Sequence, residues 1–260
     1  MDRRKLLKYL PIVAASASLT SILKSQRTVA GGKSSDINWD YIGENGTENW
    51  AELSPEYQIC KIGKSQSPIN VKSPISLEPP QISINYKEAP INLINNGHTI
   101  QVNYTPGSML KIGDKDFELL QFHFHHPSEH LLDGESFPME VHFVHKAPDN
   151  TLAVLGIFIR AGHENNALKS IWDVMPTSKL STKKVSNKML NAAEILPQEQ
   201  SFYTYSGSLT TPPCSEIVTW VVYKKPIEMS QQQINKFAQL YPNNARPTQS
   251  IGQRLLLKSS

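Results

Sequence analysis

The sequence predicts a mainly β protein built on one central twisted, mostly antiparallel sheet of about ten strands, with a few surface helices. Many short segments alternate apolar and polar residues, as half-buried strands do. Turn-forming Gly, Pro, Asn and Asp residues separate these segments, and helical signals appear in few places. The 260 residues contain no linker-like stretch and no internal repeat, so we expect a single domain at residues 31–260.

The predicted strands share apolar or β-branched residues bounded by turn signals. They are residues 82–86, 91–94, 99–104, 109–112, 117–124, 140–145, 152–160, 201–205 and 217–223. Residues 152–159 are apolar almost throughout, which is typical of a central strand buried on both faces. Pro127 and the Asp133-Gly134 pair lie between residues 117–124 and 140–145, so these two strands are expected to form an antiparallel hairpin with a long loop.

Three helices are predicted, at residues 165–175, within residues 186–195, and at residues 231–241. The first and the last begin at capping Asn or Ser residues and end before prolines. Residues 38–60 give no periodic signal, so we predict an irregular segment there.

The first thirty residues carry the signals of a bacterial export leader. Six of them are basic and one is acidic, Arg3-Arg4 form a twin arginine, and an uncharged apolar stretch precedes a small-residue site at Ala30. We expect residues 1–30 to be a signal peptide of the twin-arginine type, with an ordinary secretory signal or an uncleaved anchor as the alternatives. The protein would then be periplasmic or secreted.

Charge and hydropathy exclude two classes of partner. The basic excess of the chain belongs to residues 1–30, so the remaining chain gives no case for nucleic-acid binding. The apolar part of the leader is short and rich in Ser and Ala, so no stable membrane insertion is expected after cleavage. The substrate is therefore expected to be a small molecule, and the oligomeric state is left open.

Six of the eight histidines lie within residues 121–145. Strand side chains alternate between faces, so His123 and His125 point the same way. His142 lies on the predicted partner strand and can come within reach of both. Three neutral imidazoles with a fourth position open form a catalytic zinc arrangement, whereas an ordinary packed or surface role is the alternative for any single histidine.

Two polar residues stand two positions before predicted ligands. Gln121 precedes His123 and Glu140 precedes His142, so each shares a strand face with its histidine. A ligating imidazole needs its second nitrogen held by a hydrogen bond. Gln121 and Glu140 are suited to this task, and ordinary polar strand positions are the alternative.

Several motifs, in order, resemble those of the alpha-class carbonic anhydrases. They are Q-S-P-I-N at 66–70, N-N-G-H at 95–98, Q-x-H-x-H at 121–125, S-E-H at 128–130, E-x-H-x-x-H at 140–145, G-S-L-T-T-P-P-C at 207–214 and N-A-R-P at 244–247. The resemblance covers about residues 38–254. It implies the fold of that family, with a conical cleft that reaches a zinc ion at the centre of the sheet.

The resemblance also implies the activity and the residues that carry it. The reaction is the reversible hydration of CO2 to bicarbonate and a proton, by attack of zinc hydroxide and with a histidine proton shuttle. The implied zinc ligands are His123, His125 and His142, supported by Gln121, Glu140 and the backbone carbonyl of Asn244. The implied catalytic residues are His98 as the proton shuttle and Glu129 with Thr210, which orient the hydroxide.

The remaining implied roles concern the cleft and its surroundings. An apolar wall for CO2 would comprise Val144, Val154, Leu209 and Trp220, with Thr211 beside it, and the rim would include Tyr41, Asn96 and Gln101. Exported members of the family often join the positions of Cys60 and Cys214, the only two cysteines, in a disulfide; two free buried thiols are the alternative. His130 and His145 are expected to be structural, and His126 and His163 neither ligand nor shuttle.

Two other classes of function remain possible on sequence grounds. The first is a non-catalytic binding or adhesion protein on the same fold. The second is a zinc hydrolase of esters or peptides, although the H-E-x-x-H motif of many such enzymes is absent. The complete set of three histidines with Glu129, Thr210 and His98 favours the carbonic anhydrase interpretation.

Overall fold

The computed structural model describes residues 38–75 and 77–259. The predicted signal peptide lies outside these residues. The predicted mainly β fold is confirmed, because strands form most of the regular structure and the helices are short. No helix in the described ranges is long and apolar enough to cross a membrane.

The described residues form fourteen strands. These are β1 (Asn70–Val71), β2 (Ile82–Asn85), β3 (Ala89–Asn95), β4 (Ile100–Asn103), β5 (Met109–Ile112), β6 (Lys115–His125), β7 (Leu131–Leu132), β8 (Met139–Lys146), β9 (Leu152–Ala161), β10 (Ser181–Leu190), β11 (Phe202–Gly207), β12 (Val218–Tyr223), β13 (Ile227–Met229) and β14 (Leu257–Lys258). Twelve belong to one sheet, a little more than the ten expected, and β1 pairs with β7 separately.

The main sheet runs in the order β10-β3-β4-β6-β8-β9-β12-β11-β14. Strand β9 pairs in parallel with β12 and β13, and the other pairings in this sheet are antiparallel. The predicted hairpin is confirmed, since β6 and β8 are antiparallel neighbours. The apolar β9 lies between β8 and β12, with its first eight residues buried, as expected of a central strand.

Four short α-helices of the described ranges lie outside the sheet: α1 (Trp50–Leu53), α2 (Ile59–Ile62), α3 (Asn166–Trp172) and α4 (Gln231–Ala238). The Asn165 side chain caps α3, and Ser230 forms a capping box with Gln233 at α4, so both predicted helices are confirmed. The prediction of an irregular segment at 38–60 was wrong in part. It contains α1, a 3-10 turn at Pro55–Tyr57 and the start of α2.

The predicted helix within residues 186–195 was wrong. Residues up to Leu190 belong to β10, and only Ala192–Ile195 are helical, as one 3-10 turn. Strand β10 pairs with β3 at the edge of the sheet and exposes most of its side chains. Polar, lysine-rich residues are typical of an edge strand, and backbone pairing with β3 outweighs the local helical tendency.

The two faces of the sheet carry separate apolar clusters. The larger one fills the face covered by α3 and α4, and it includes Phe122, Phe124 and Phe143. The smaller one lies around Val144, Val154 and Trp220. Because strand side chains alternate, β6 and β8 place aromatic residues in the larger core while His123, His125 and His142 face the opposite side. The candidate site is therefore built on the rigid centre of the sheet.

Candidate metal centre

Three histidines meet on one face of the central strands. His123 and His125 are two residues apart on β6, and His142 on β8 is the cross-strand partner of His123. One ring nitrogen from each lies within 4.8 Å of the others. His125 and His142 are each 1% exposed, so two of these three side chains are shielded from bulk water.

The outer nitrogen of each ring is held by a hydrogen bond. Nδ1 of His123 donates to Oε1 of Gln121 at 2.9 Å, and Nδ1 of His125 donates to the carbonyl oxygen of Asn244 at 2.7 Å. Nε2 of His142 donates to Oε1 of Glu140 at 2.9 Å. These bonds fix the tautomers, so Nε2 of His123, Nε2 of His125 and Nδ1 of His142 carry the lone pairs that face one another.

Glu140 is the most heavily bonded of the supporting groups. Its Oε1 also accepts from Nδ1 of His130 at 2.8 Å, and its Oε2 accepts the backbone N–H groups of Glu129 and His130 at 2.9 Å each. Burial acts to raise the pKa of Glu140, but His130 and His142 outweigh it and hold that pKa well below its usual range. The carboxylate is therefore ionised and fully hydrogen-bonded.

The Glu140 carboxylate lies directly over Gly156 of β9. A Cβ atom at Gly156 would lie 2.8 Å from Oε1 of Glu140, and 3.7 Å from Cζ3 of Trp220. Gly156 is also the cross-strand partner of His142. A glycine in the middle of a buried strand usually marks a close approach, and here it makes room for the support of His142.

The protonation states and an unpartnered atom fit a bound cation. Burial lowers the pKa of His125 to about 4 and holds that of His123 well below its usual value, so the rings are neutral at neutral pH. Nε2 of His125 is buried and has no hydrogen-bond partner among the described residues. Neutral imidazole nitrogens in this number and arrangement fit zinc.

A second group of metal-binding residue types, His130 with Glu140 and His142, is a hydrogen-bonded cluster instead. Oε1 of Glu140 already accepts from both rings. Nε2 of His130 contacts the Tyr205 hydroxyl at 2.7 Å, so its polar atoms are satisfied. His130 is thus structural, as expected. His145 is structural as well, because it bonds the Tyr86 hydroxyl at 2.6 Å on the other side of the sheet.

Glu129 lies beneath the three histidines. Its Oε1 accepts the backbone N–H of Arg246 at 2.9 Å, and its Oε2 lies 3.6 Å from Nε2 of His125 and 3.8 Å from Nδ1 of His142. Burial raises the pKa of Glu129 to about 7, against the opposing influence of His142, the Arg246 N–H and the Thr210 hydroxyl. Oε2 is buried without a hydrogen-bond partner among the described residues.

The four apolar wall residues lie together beside His142. Val144 and Val154 are cross-strand partners on β8 and β9, and Val154 is the partner of Trp220 on β12. Leu209 packs against the same cluster. The wall is thus continuous across β8, β9 and β12, and on β8 it begins at Val144, two residues after His142.

His98 stands on a turn between β3 and β4. Oδ1 of Asn96 accepts the backbone N–H groups of His98 and Thr99 at 2.9 Å each, so Asn96 uses its side-chain oxygen to shape this turn. The His98 ring stacks on Trp39, with ring centroids 3.7 Å apart and an angle of 7° between the planes. Burial lowers the pKa of His98, Asp40 raises it and Lys179 lowers it.

The other predicted residues take varied positions. Gln101 on β4 is the cross-strand partner of His123, and its amide donates to Asn103. Tyr41 is buried, and this burial raises its pKa, with Glu129 as the next cause. His126 contacts the carbonyl of Pro242 outside the cluster, and the exposed His163 pairs with Glu228. Thr211 is partly exposed beside Thr210.

Cys60 and Cys214 are joined in a disulfide, as the resemblance implied. The bridge ties α2 to the loop that carries Thr210. Gln66 donates to the carbonyl of Cys214 at 3.1 Å, and Arg246 donates to the carbonyl of Cys60 at 2.7 Å. The two ends of the bridge are thus anchored by side chains that also bond each other.

Sequence reasoning missed the support given by three residues. They are Gly156, the side chain of Asn244 and the backbone of Arg246. A glycine inside a buried strand was a visible signal for the first. Asn244 and Arg246 lie in a motif whose contacts depend on tertiary folding, so no local pattern could reveal them.

Comparison with known proteins identifies relatives along almost the whole chain. A family model described as eukaryotic-type carbonic anhydrase matches residues 45–260. A carbonic anhydrase of Nostoc sp. is 45% identical over 262 residues, covering 99% of this chain and 97% of that protein. The alpha-carbonic anhydrase of Thermovibrio ammonificans, solved with the inhibitor sulfanilamide, matches with a TM-score of 0.82 and 41% identity, covering 86% of this chain and 100% of that one.

A protein named dioscorin shares the fold as well. Dioscorin complexed with ascorbate matches with a TM-score of 0.80 and 30% identity, covering 86% of this chain and 98% of that one. The family match, the bacterial relatives named carbonic anhydrase and the solved structures agree. This chain belongs to the eukaryotic-type, or alpha-class, carbonic anhydrase family of enzymes.

Proposed function

We propose that this chain holds one zinc ion through Nε2 of His123, Nε2 of His125 and Nδ1 of His142, and catalyses the reversible hydration of CO2 to bicarbonate and a proton. The observation that carries this proposal is the set of three inward ring nitrogens within 4.8 Å of one another, each ring fixed by an outer hydrogen bond. Zinc held there supplies the Lewis acidity that makes water nucleophilic at neutral pH, a chemistry for which carbonic anhydrases are the standard example.

Thr210 and Glu129 are proposed to orient the attacking water. A hydroxyl group has one proton to donate. If Thr210 donates it to Oε2 of Glu129, the buried oxygen gains its missing partner and Thr210 can only accept from the water. The water's lone pair is then directed at the substrate carbon, which is a positioning effect.

The apolar wall is proposed to receive CO2. The molecule has no charge, so it can displace water from the apolar surface at little cost. That surface is formed by Val144, Val154, Leu209 and Trp220. The backbone N–H of Thr210 is proposed to contact one CO2 oxygen, with Thr211 beside it. On the opposite side, Tyr41, Asn96 and Gln101 are proposed to hold water at the rim.

His98 is proposed to carry the released proton to the solvent. A partly exposed imidazole accepts and releases protons readily, and burial lowers the pKa of the His98 ring from its ordinary value. The ring stacks face to face on Trp39, and no described residue forms a hydrogen bond with its two nitrogens.

The deciding experiment measures CO2 hydration and zinc content of residues 31–260, before and after chelation. We expect fast hydration that is lost with the metal and restored by zinc. A folded, zinc-loaded protein without hydration would overturn the proposed function and favour a non-catalytic binding protein. The similarity to dioscorin, whose solved complex contains ascorbate, gives that alternative a ligand to test by calorimetry.

We propose further that residues 1–30 are a cleaved twin-arginine signal peptide and that the mature protein is periplasmic or secreted. The disulfide supports this, because such bonds persist in oxidising compartments. N-terminal sequencing of the exported protein from a bacterial host is expected to begin at Gly31. Full-length protein retained in the cytoplasm would contradict this proposal.

A further inference from the structure

Asn244 forms hydrogen bonds with two parts of the candidate site. One is β6, the metal strand, which carries His123 and His125, and the other is the turn between β3 and β4 that carries His98. Asn244 is 1% exposed. Its carbonyl oxygen accepts from His125 at 2.7 Å, and its backbone N–H donates to the carbonyl of His126 at 3.0 Å. The backbone thus supports the end of β6, which leaves the side chain to be explained.

The side-chain amide of Asn244 makes three more hydrogen bonds. Oδ1 accepts the backbone N–H of His126 at 2.7 Å. Nδ2 donates to the carbonyl of Phe124 and to the carbonyl of His98, at 3.0 Å each. Phe124 stands between the ligand candidates His123 and His125, so one amide group joins the backbone of the metal strand to the backbone of His98.

The turn that carries His98 has few other links to the metal strand. The bonds that the N–H groups of His98 and Thr99 donate to Oδ1 of Asn96 lie within the turn. Thr99 reaches the carbonyl of Phe124 through its hydroxyl at 2.5 Å, one residue past His98. Within the described residues, Asn244 is the side chain outside the turn that bonds the His98 backbone directly.

We propose that the Asn244 side chain is a positioning residue for proton transfer. It holds the backbone of His98 at a fixed separation from the metal strand, while the nitrogens of the imidazole ring, which stacks on Trp39, stay without a hydrogen bond from the described residues. The inference rests on the proposed hydration function and on His98 as the shuttle. It adds a separate task to Asn244, because the His125 contact uses the backbone carbonyl and the His98 contact uses the amide.

The physical reason is the sensitivity of proton relay to distance. Transfer through intervening water requires donor and acceptor to stay within a narrow range, and a misplacement of about 1 Å can cost up to roughly a hundredfold in rate. Without the amide, the His98 carbonyl must find another partner, which water supplies if the turn moves outward. Such a shift displaces the ring, whereas the backbone carbonyl of Asn244 that accepts from His125 is kept in the variant.

The test compares Asn244→Ala with Asn243→Ala. Asn243 is the adjacent, exposed asparagine, whose side chain accepts one bond from the nearby Ala245 N–H. For Asn244→Ala we expect kcat in dilute buffer to fall roughly threefold to tenfold, less than the hundredfold or more that loss of a general acid–base group costs. We expect kcat/KM and zinc content to stay unchanged, and concentrated imidazole buffer to restore kcat. Asn243→Ala should match the wild type.

A second variant and a second readout protect the test. Asn244→Ser is the milder change if Asn244→Ala yields little folded protein. Thr99→Val removes the neighbouring link to Phe124 but keeps the His98 contact, so it should leave kcat in dilute buffer unaffected. Burial is the main cause of the lowered His98 pKa, ahead of the charges of Asp40 and Lys179, so NMR titration of the ring should show this pKa rising toward the ordinary value in Asn244→Ala as the turn becomes more solvated.

Three results would overturn the inference. They are an unchanged kcat and an unchanged His98 titration in a folded Asn244 variant, a parallel loss of zinc and kcat/KM that imidazole does not rescue, or an equal loss of kcat in Thr99→Val. Absence of hydration in the wild type would instead reject the proposed function, and the His98 titration would still report whether the amide positions the turn.

Discussion

The three histidines at the centre of the sheet and the single histidine at its rim are held in opposite ways. Each central ring has its outer nitrogen bonded, to Gln121, Asn244 or Glu140. The rim residue His98 has no bond to its ring from the described residues and rests on the face of Trp39. The central rings lie on long neighbouring strands, whereas His98 lies on a turn.

This difference follows from what each group is proposed to do. A metal ligand must present one lone pair in one direction, so a fixed tautomer and a fixed ring plane favour binding. A proton carrier must gain and lose a proton at its ring nitrogens, so fixed hydrogen bonds to those nitrogens would hinder the proton exchange. The structure restricts the backbone of His98 through Asn244, and no described residue forms a hydrogen bond with its ring nitrogens. The following predictions test this contrast between fixed and free imidazoles.

The largest effect is expected from removing a central ring. In His142→Ala, zinc affinity should fall roughly a hundredfold or more, because structural zinc sites with four protein ligands bind with about 10–16 kcal/mol, or about 2.5–4 kcal/mol for each ligand. Zinc competition with a chelator measures this, and CO2 hydration should disappear with the metal. His126→Ala is the matched control, since that ring lies outside the cluster. Full zinc affinity in His142→Ala would remove the histidine from the ligand set.

Removing the free ring should slow turnover without loss of metal. In His98→Ala, kcat in dilute buffer should fall about a hundredfold, the lower range for a general acid–base group. Zinc content and kcat/KM should remain, and imidazole should restore turnover. Stopped-flow hydration across buffer concentrations measures all three. Unchanged kcat in dilute buffer would rule out His98 as the shuttle.

Zinc affinity should also fall after a substitution that changes the support of a ligand and not the ligand itself. In Gly156→Ala, the new methyl would meet Oε1 of Glu140 at 2.8 Å, so the carboxylate that accepts from His142 must shift. Loss of such support lowers metal affinity roughly tenfold or more. The measurement is zinc competition on protein whose fold is checked by circular dichroism. Unaltered affinity in folded protein would show that Glu140 tolerates displacement.

The smallest effects concern two charges near His98. Asp40 raises the pKa of His98 and Lys179 lowers it, so Asp40→Asn should move the acid limb of the kcat profile to lower pH. Lys179→Gln should move the acid limb to higher pH, because the pKa of His98 rises and its protonated form persists to a higher pH. Both residues are exposed, so added salt should shrink both shifts. Shifts of the same sign would contradict this electrostatic account.

Local patterns predicted those features that depend on neighbouring residues. Period-two alternation placed His123 and His125 on one face, and an uninterrupted apolar run marked β9 as central. Capping residues marked α3 and α4, where Asn165 and Ser230 bond the first turn as expected. These signals are reliable because the interactions that they report span only a few residues.

The same local signals failed where distant backbone pairing decides the outcome. A helix was predicted within residues 186–195, yet β10 runs along β3 to Leu190, with an irregularity between Val185 and Met189. A polar, lysine-rich segment gives little apolar periodicity of either kind, so its structure depends on the free edge that the sheet offers. The sheet edge is a product of the whole topology and is invisible in the segment itself.

By itself, the sequence determined the fold class, the face shared by His123 and His125, and the motifs that assign the chain to its family. Tertiary structure decided that β8 pairs with β6 so that His142 meets His123, that His142 faces inward through Nδ1, and that the amide of Asn244 reaches His98. The physical reason is the distance along the chain over which each interaction acts. Alternation and capping arise within one segment, whereas strand register and side-chain bridges join residues that only the folded chain brings together.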